Sequence, residues 1–146
     1  MVACMSDTQT LISELSELTL PMMWQMRQDA VRAFEPLGIR PIKGLLVGLI
    51  AGGLQHPKDI AEVLETLPPT VSAMLGELEQ KGYVKRTLDP DDRRRVMLEL
   101  TPAGQAMHLE MNQRWHEISL ERMAHLSDEE LSFLVKTFRK VMAVSP

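Results

Sequence analysis

Residues 83–101 leave this chain few ways to fold. Val96, Leu98 and Leu100 face one way on a strand while Met97 and Glu99 face the other, the period of two that marks half-buried β-structure. A second short strand precedes it, and Asp89-Pro90-Asp91-Asp92 lies between. That is turn chemistry, because proline fixes φ and aspartate caps its own backbone. Three consecutive arginines, Arg93 to Arg95, sit where the chain returns. A β-ribbon with a cationic tip suits a nucleic-acid groove, where arginine meets phosphate and the negative minor-groove potential. A surface hairpin neutralised by its own aspartates fits as well, so the preceding residues must decide.

Those residues read as two short helices. Pro57 to Leu64 forms the first, with Pro57 at its first position, Asp59 at its positive end, and an apolar face of Ile60, Val63 and Leu64. Leu67-Pro68-Pro69 interrupts it, since the residue before a proline is pushed out of the α region. The second helix runs from about Pro69 to Lys81 and closes at Gly82. Val71, Leu75 and Leu78 are its buried stripe, and Thr70, Ser72, Ala73, Gly76, Glu77 and Gln80 its open face. Two helices, a tight turn and a hairpin are the order of a winged helix–turn–helix, with the second helix offered to the major groove.

The runs Asp59-Ile60-Ala61-Glu62-Val63-Leu64, Thr70-Val71-Ser72, Leu78-Glu79-Gln80-Lys81-Gly82-Tyr83-Val84 and Asp89-Pro90-Asp91-Asp92-Arg93-Arg94 through Leu100-Thr101-Pro102-Ala103-Gly104 carry a resemblance. They resemble the MarR family, the multiple-antibiotic-resistance regulators, whose D-P-x-D-R-R-x-x-x-L-x-L-T-x-x-G wing signature is matched almost throughout. The likeness covers residues 34–107 well and the flanking helices only in length and amphipathicity. It implies a homodimeric winged-helix DNA binder, usually a repressor released by a small ligand or by oxidation. The fold expected is mainly α with a small β-wing: a winged helix–turn–helix part at 37–101, flanked by dimerisation helices at 6–36 and 102–146.

Composition agrees without adding function. At 146 residues the chain is expected to be one domain, burying about 68–70% of its extended surface. The longest uncharged run, Gly44 to His56, falls short of the roughly 20 apolar residues that span a bilayer, so no membrane partner is expected. The start lacks a basic region followed by an apolar core, which argues against a secretion signal. A single cysteine, Cys4, excludes an internal disulfide and fits a reducing cytoplasm. No nucleophile–base pair, phosphate loop or carboxylate constellation supports catalysis, and no cofactor is expected.

The flanks supply apolar helices. The first is expected to start at Ser6, with a Ser6–Gln9 capping box, a stripe of Leu11, Leu15, Leu18 and Met22, and a kink or restart at Pro21. Thr101-Pro102 opens another, striped by Met107, Met111, Trp115 and Ile118. Ser127 with Glu130 caps the last, striped by Leu131, Leu134, Val135, Phe138 and Met142. No terminal stripe can bury itself, so the segments are expected to pack on each other, and the resemblance implies a partner chain's copies as well. Methionines at this spacing are ordinary core. The resemblance also places a cleft for a small aromatic or amphipathic ligand between the dimer helices and the winged helix, with Met22, Trp24, Met26 and Arg27 as its candidate neighbours.

Charge complicates DNA binding. The chain carries −4 overall. Residues 57–80 hold one base, Lys58, against Asp59, Glu62, Glu65, Glu77 and Glu79; residues 81–96 hold six bases against Asp89, Asp91 and Asp92. Affinity that depends on salt should therefore come from the wing. Members of the resembled family carry arginines where this chain has Ala73 and Glu77, and here no base lies between Pro69 and Gln80. The helix also lacks a polar cap, since Leu67 and Pro68 cannot accept from its amides. Either the small face sits close to the groove, with hydroxyl contacts and Ala73 against a thymine methyl, or DNA binding is weak and the protein is a dimeric ligand-sensing or protein-interaction module.

The candidate DNA-binding residues are Pro69, Thr70, Ser72, Ala73, Gly76, Lys81, Arg86, Arg93, Arg94 and Arg95. By the resemblance Arg94 is the arginine that enters the minor groove. Arg93 can pair across the turn with Asp89, Arg95 points opposite to Arg94, only one of Lys85 and Arg86 can face DNA, and Glu99 is expected to be solvated.

No metal site is expected. His108 and His116 lie about 12 Å apart along a helix axis, and Asn112 stands where the family's zinc-sensing branch has a second histidine. His56 and His125 are expected to be solvated. Peroxide-sensing members carry a cysteine near the position of Ser16, so Cys4 reads as incidental. The sequence as a whole points to a cytoplasmic homodimer that represses transcription. Its partners would be double-stranded DNA, on a pseudo-palindromic operator with half-sites ~34–36 Å apart, and a second copy of itself.

Overall fold

A computed structural model describes residues 7–143, so the expected Ser6 cap and Cys4 lie outside the described residues. Helix α1 (Asp7–Phe34) passes through a 3-10 turn (Glu35–Leu37) to α2 (Pro41–Ala51), α3 (Pro57–Val63) and α4 (Pro68–Gln80). Strands β1 (Val84–Leu88) and β2 (Val96–Leu100) follow, then α5 (Pro102–Met123) and α6 (Asp128–Met142). The chain divides into two units, one ending at Trp115 and the other beginning at His116.

Prolines set where the central helices begin. Pro41, Pro57 and Pro68 occupy the first turns of α2, α3 and α4, after Arg40, His56 and Leu67 in extended conformation (ψ 147, 130 and 138°). Each ring presets the helical φ and lacks only an N–H that the first turn could not use. None of the three has a side-chain cap bond. Helix α4 thus starts at Pro68, one residue before the sequence-based bound. It ends in a Schellman motif, Tyr83 N–H donating to the Leu78 carbonyl and Gly82 N–H to that of Glu79, both at 2.9 Å, with Gly82 at φ +74°. Helix α1 runs unbroken through Pro21, so the expected restart does not occur. Proline removes one backbone bond, to the Glu17 carbonyl, and the rest of this 28-residue helix propagates past the loss.

Helix α3 closes by the same motif on a residue unsuited to it. Thr66 N–H donates to Ala61 and Glu65 N–H to Glu62, which places Glu65 at φ +47°. A side chain there costs roughly 1–2 kcal/mol. Exposed Glu65 forms no ion pair among the described residues. Glu65→Gly is therefore expected to stabilise the protein by about 0.5–1 kcal/mol, seen as a higher urea midpoint at unchanged slope. A lower midpoint would show that the left-handed turn is not strained.

The core belongs to the first unit. Leu46, Val47 and Ile50 of α2 meet Ile60 and Ala61 of α3, Val71, Leu75 and Leu78 of α4, Val84 and Leu98 of the strands, and Met111 of α5. The stripe read for α4 is buried as expected. Val63 is not: it is 58% exposed, because the short helix turns Ile60 and Ala61 inward and leaves Val63 on the far side. The strands pair antiparallel, with Val84 opposite Leu100, Lys85 opposite Glu99 and Arg86 opposite Leu98. Thr101 caps α5, accepting from Gly104 N–H at 3.0 Å, and its own N–H donates to the Tyr83 carbonyl. Two helices, α4 against the hairpin, and a strand anchored in the core make a winged helix–turn–helix.

Outside that core, large apolar side chains stand open. On α1, Leu11, Leu15 and Leu18 are each more than 60% exposed. The α6 stripe is open too, with Phe138 at 50% and Met142 at 75%, and Val141 beside it is 65% exposed. Helix α6 opens with the expected capping box, Ser127 Oγ accepting from Glu130 N–H and Glu130 Oε2 from Ser127 N–H.

Candidate nucleic-acid interface

Helix α4 packs against strand β1 of the wing. Pro69, Thr70, Ser72 and Ala73 are exposed on α4, with Gly76 half-buried behind them. The hydroxyls of Thr70 and Ser72 make no hydrogen bond within the chain among the described residues. Ser72, Ala73 and Gly76 carry nothing larger than a hydroxymethyl group, while Pro69 and Thr70 add a ring and a branched side chain at the helix start.

The acids of α4 are matched locally. Glu77 pairs with Lys43 of α2, and this bond, together with the charges of Lys43, Arg40 and Lys81, holds its carboxyl below the usual range. Glu79 accepts from Arg86 Nε of β1 at 3.0 Å. Counting charge along the sequence hid the first pair, because Lys43 stands 34 positions away. The helix thus offers neutral contacts flanked by ion pairs rather than a bare negative surface.

Four of the named cations are engaged within the chain. Arg86 is tied to Glu79, and Lys81 Nζ donates to the Gly38 carbonyl at 2.7 Å. Arg95 Nη2 lies 3.8 Å from Asp59 Oδ2 of α3, turned away from the wing tip. Lys85 pairs across the strands with Glu99 at 2.6 Å, so Glu99 is a paired residue rather than a free solvated one. Arg93 and Arg94 are exposed, and their side chains form no ion pair among the described residues. They are the tip's available charges.

Asp89 organises the turn that carries them. It is 8% exposed, and its Oδ1 accepts the amides of Asp91 at 2.9 Å and Asp92 at 3.3 Å. The Asp91 amide is the main cause of a carboxyl pKa below its usual value, with the Asp92 amide, His56 and Arg95 also lowering it and burial opposing them. The partner expected for Asp89 was Arg93. The structure instead places His56 there, its Nε2 3.5 Å from Asp89 Oδ2. His56 is therefore packed into the wing base and not solvated as its place at a helix boundary suggested. His125 is exposed.

A cleft of about 650 Å³ lies between the end of α1 and the start of α2, lined by Arg27, Val31, Glu35, Ile39, Arg40 and Ile42 among others. Of the residues expected around a ligand only Arg27 lines it. Met22, Trp24 and Met26 are exposed elsewhere on α1, and Trp24 lies 5.6 Å from the Arg27 guanidinium in a cation–π contact. Arg40, which precedes a helix-starting proline, carried no sequence signal for this place. On α5, Asn112 Nδ2 lies 3.1 Å from His108 Nε2. No group of three or more His, Cys, Asp or Glu that could hold a metal occurs among the described residues, and none of their helices is long and apolar enough to cross a membrane.

Comparison with known proteins places this geometry. Residues 51–96, from the end of α2 to the start of β2, match the model of the MarR family. The HTH-type transcriptional repressor MdtR of Bacillus subtilis is 30% identical over 129 residues, covering 87% of this chain and 83% of MdtR. The crystal structure of apo MarR from E. coli shares the fold, with a TM-score of 0.78 at 24% identity over 87% of this chain and 95% of that one. The structure of the S. aureus MepR–DNA complex is similar at a TM-score of 0.69 and 28% identity, over 88% and 96% of the two chains. These relatives are transcriptional regulators and not enzymes, and this chain belongs to the MarR family of winged-helix regulators.

Proposed function

We propose that the protein is a cytoplasmic homodimer that binds a pseudo-palindromic operator and represses transcription until a small ligand releases it. The winged helix–turn–helix at 37–101 reads the duplex, with α4 in the major groove and Arg94 in the flanking minor groove, and residues 6–36 and 102–146 supply the dimer helices. The observation that carries this reading is a tip whose two free arginines sit on a turn fixed by Asp89, beside a helix with a small, uncharged face. Similarity to a MarR-family protein solved with DNA supports it. The exposed stripes of α1 and α6 support a second copy as partner, because each apolar face needs cover. The ligand fits the cleft at Arg27 and Arg40: small and amphipathic, with an acidic group toward the guanidinium ions.

Selection of duplexes from a random pool tests the reading. An enriched two-fold sequence with half-sites about one helical turn apart is expected. On that duplex Arg94→Ala should bind about tenfold more weakly and flatten the dependence of log affinity on log salt by about one unit per subunit. Equal affinity and slope would remove Arg94 from the interface. The base-free α4 favours a second reading, a ligand-sensing module of the same fold that no longer grips DNA. A pool that yields no enriched sequence would establish that alternative.

A further inference from the structure

The wing turn is held by more than its own strands. His56, just ahead of α3, sets Nδ1 3.0 Å from the Val96 carbonyl and Nε2 3.5 Å from Asp89 Oδ2, with its side chain only 21% exposed. The Val96 carbonyl accepts from the ring Nδ1–H, and the Asp89 carboxylate lies within ion-pair distance of Nε2. The adjacent Gln55 carbonyl takes the Leu98 N–H at 2.7 Å. From Asp89 the contacts run outward. Its Oδ1 accepts the amides of Asp91 and Asp92, and Asp92 Oδ1 accepts the amide of Arg94 at 3.0 Å. An unbroken series of polar contacts therefore leads from the α2–α3 loop to the arginine at the tip.

We propose that His56 is a positioning residue for DNA binding, fastening the wing to the loop before α3 and, through Asp89 and Asp92, fixing where Arg94 is presented. The role in binding rests on the function proposed above, whereas the fastening does not. The ring reaches both partners at once, one from each nitrogen. The charged groups around it are Asp89 and Arg95 of the wing and, beyond Arg95, Asp59 of α3.

The full-length protein tests this with trypsin and a fluorescein-labelled duplex of random sequence. His56→Ala should be nicked at Arg93–Arg95 about tenfold faster than wild type, the scale of losing one buried hydrogen bond, with unchanged helical circular dichroism. It should bind the duplex about tenfold more weakly on its own, yet add nothing to Arg94→Ala, because it acts through that residue. His56→Gln, whose single amide offers two N–H donors, should restore slow nicking. Should the alanine variant not fold, His56→Asn is too short to reach both acceptors and replaces it. Unchanged nicking, or additive losses in the double variant, overturns the proposal. Fast nicking of His56→Ala alongside a wild type that ignores the duplex would keep the fastening and reject DNA binding.

Discussion

On the proposed dimer, Phe138→Asp combined with Val141→Asp is expected to leave monomers and lower affinity for a two-fold operator about a hundred- to ten-thousandfold. Both side chains stand on the open face of α6, so the change leaves the core of the first unit untouched. The Ser127–Glu130 capping box and the basic last turn, Arg139 and Lys140, still favour the helix. A pair of carboxylates would have to be buried against the second copy, which a dry interface does not tolerate. The loss in DNA binding follows from multivalency. Once one half-site is held, the second binds at a high effective concentration, and separate monomers forfeit that advantage. Sedimentation velocity and fluorescence anisotropy on the selected duplex measure the two effects. A double variant that stays dimeric with full affinity would place the interface off α6.

Gly104→Ala is expected to destabilise the fold by about 3 kcal/mol, lowering Tm by about 10 °C for a chain of this size. A Cβ at Gly104 would overlap the carbonyl of Tyr83, with Tyr83 Cα only 3.2 Å away. That carbonyl is backbone and cannot swing aside. It also accepts the Thr101 N–H at 3.0 Å, while Thr101 Oγ1 donates to the Gly82 carbonyl. Moving it would loosen the end of α4 and the first turn of α5 together. Calorimetry reads the result, and a Tm within a degree or two of wild type would mean that the junction is looser than its contacts imply.

Much of this architecture was legible in the residues. The Asp-Pro turn and the Val71-Leu75-Leu78 stripe follow from turn chemistry and local periodicity and appear as read, whereas on β2 only Leu98 is fully buried and Met97 and Glu99 are as half-buried as Val96 and Leu100. The D-P-x-D-R-R signature located the family from the same stretch. Helix α2 was legible only as an uncharged run, because a helix half-buried on several sides has no clean stripe to detect. What sequence could not supply were pairings between distant positions. Lys43 meets Glu77, His56 meets Asp89, and Arg95 turns to Asp59, all set by how elements pack. Of Met22, Trp24, Met26 and Arg27, all on α1, only Arg27 lines the cleft where α1 ends against α2.

Among the described residues the sheet has two strands, so each strand is also an edge, and an open edge invites another polypeptide to add a strand of its own. On β2 the Gln55 carbonyl already occupies the Leu98 amide. On β1 the deterrent is charge, Lys85 and Arg86 side by side with Pro90 just beyond. Lys85 and Arg86, held at this edge by Glu99 and Glu79, thus help keep the wing from zipping to its neighbours. Replacing them with apolar residues would leave a chain more prone to aggregate.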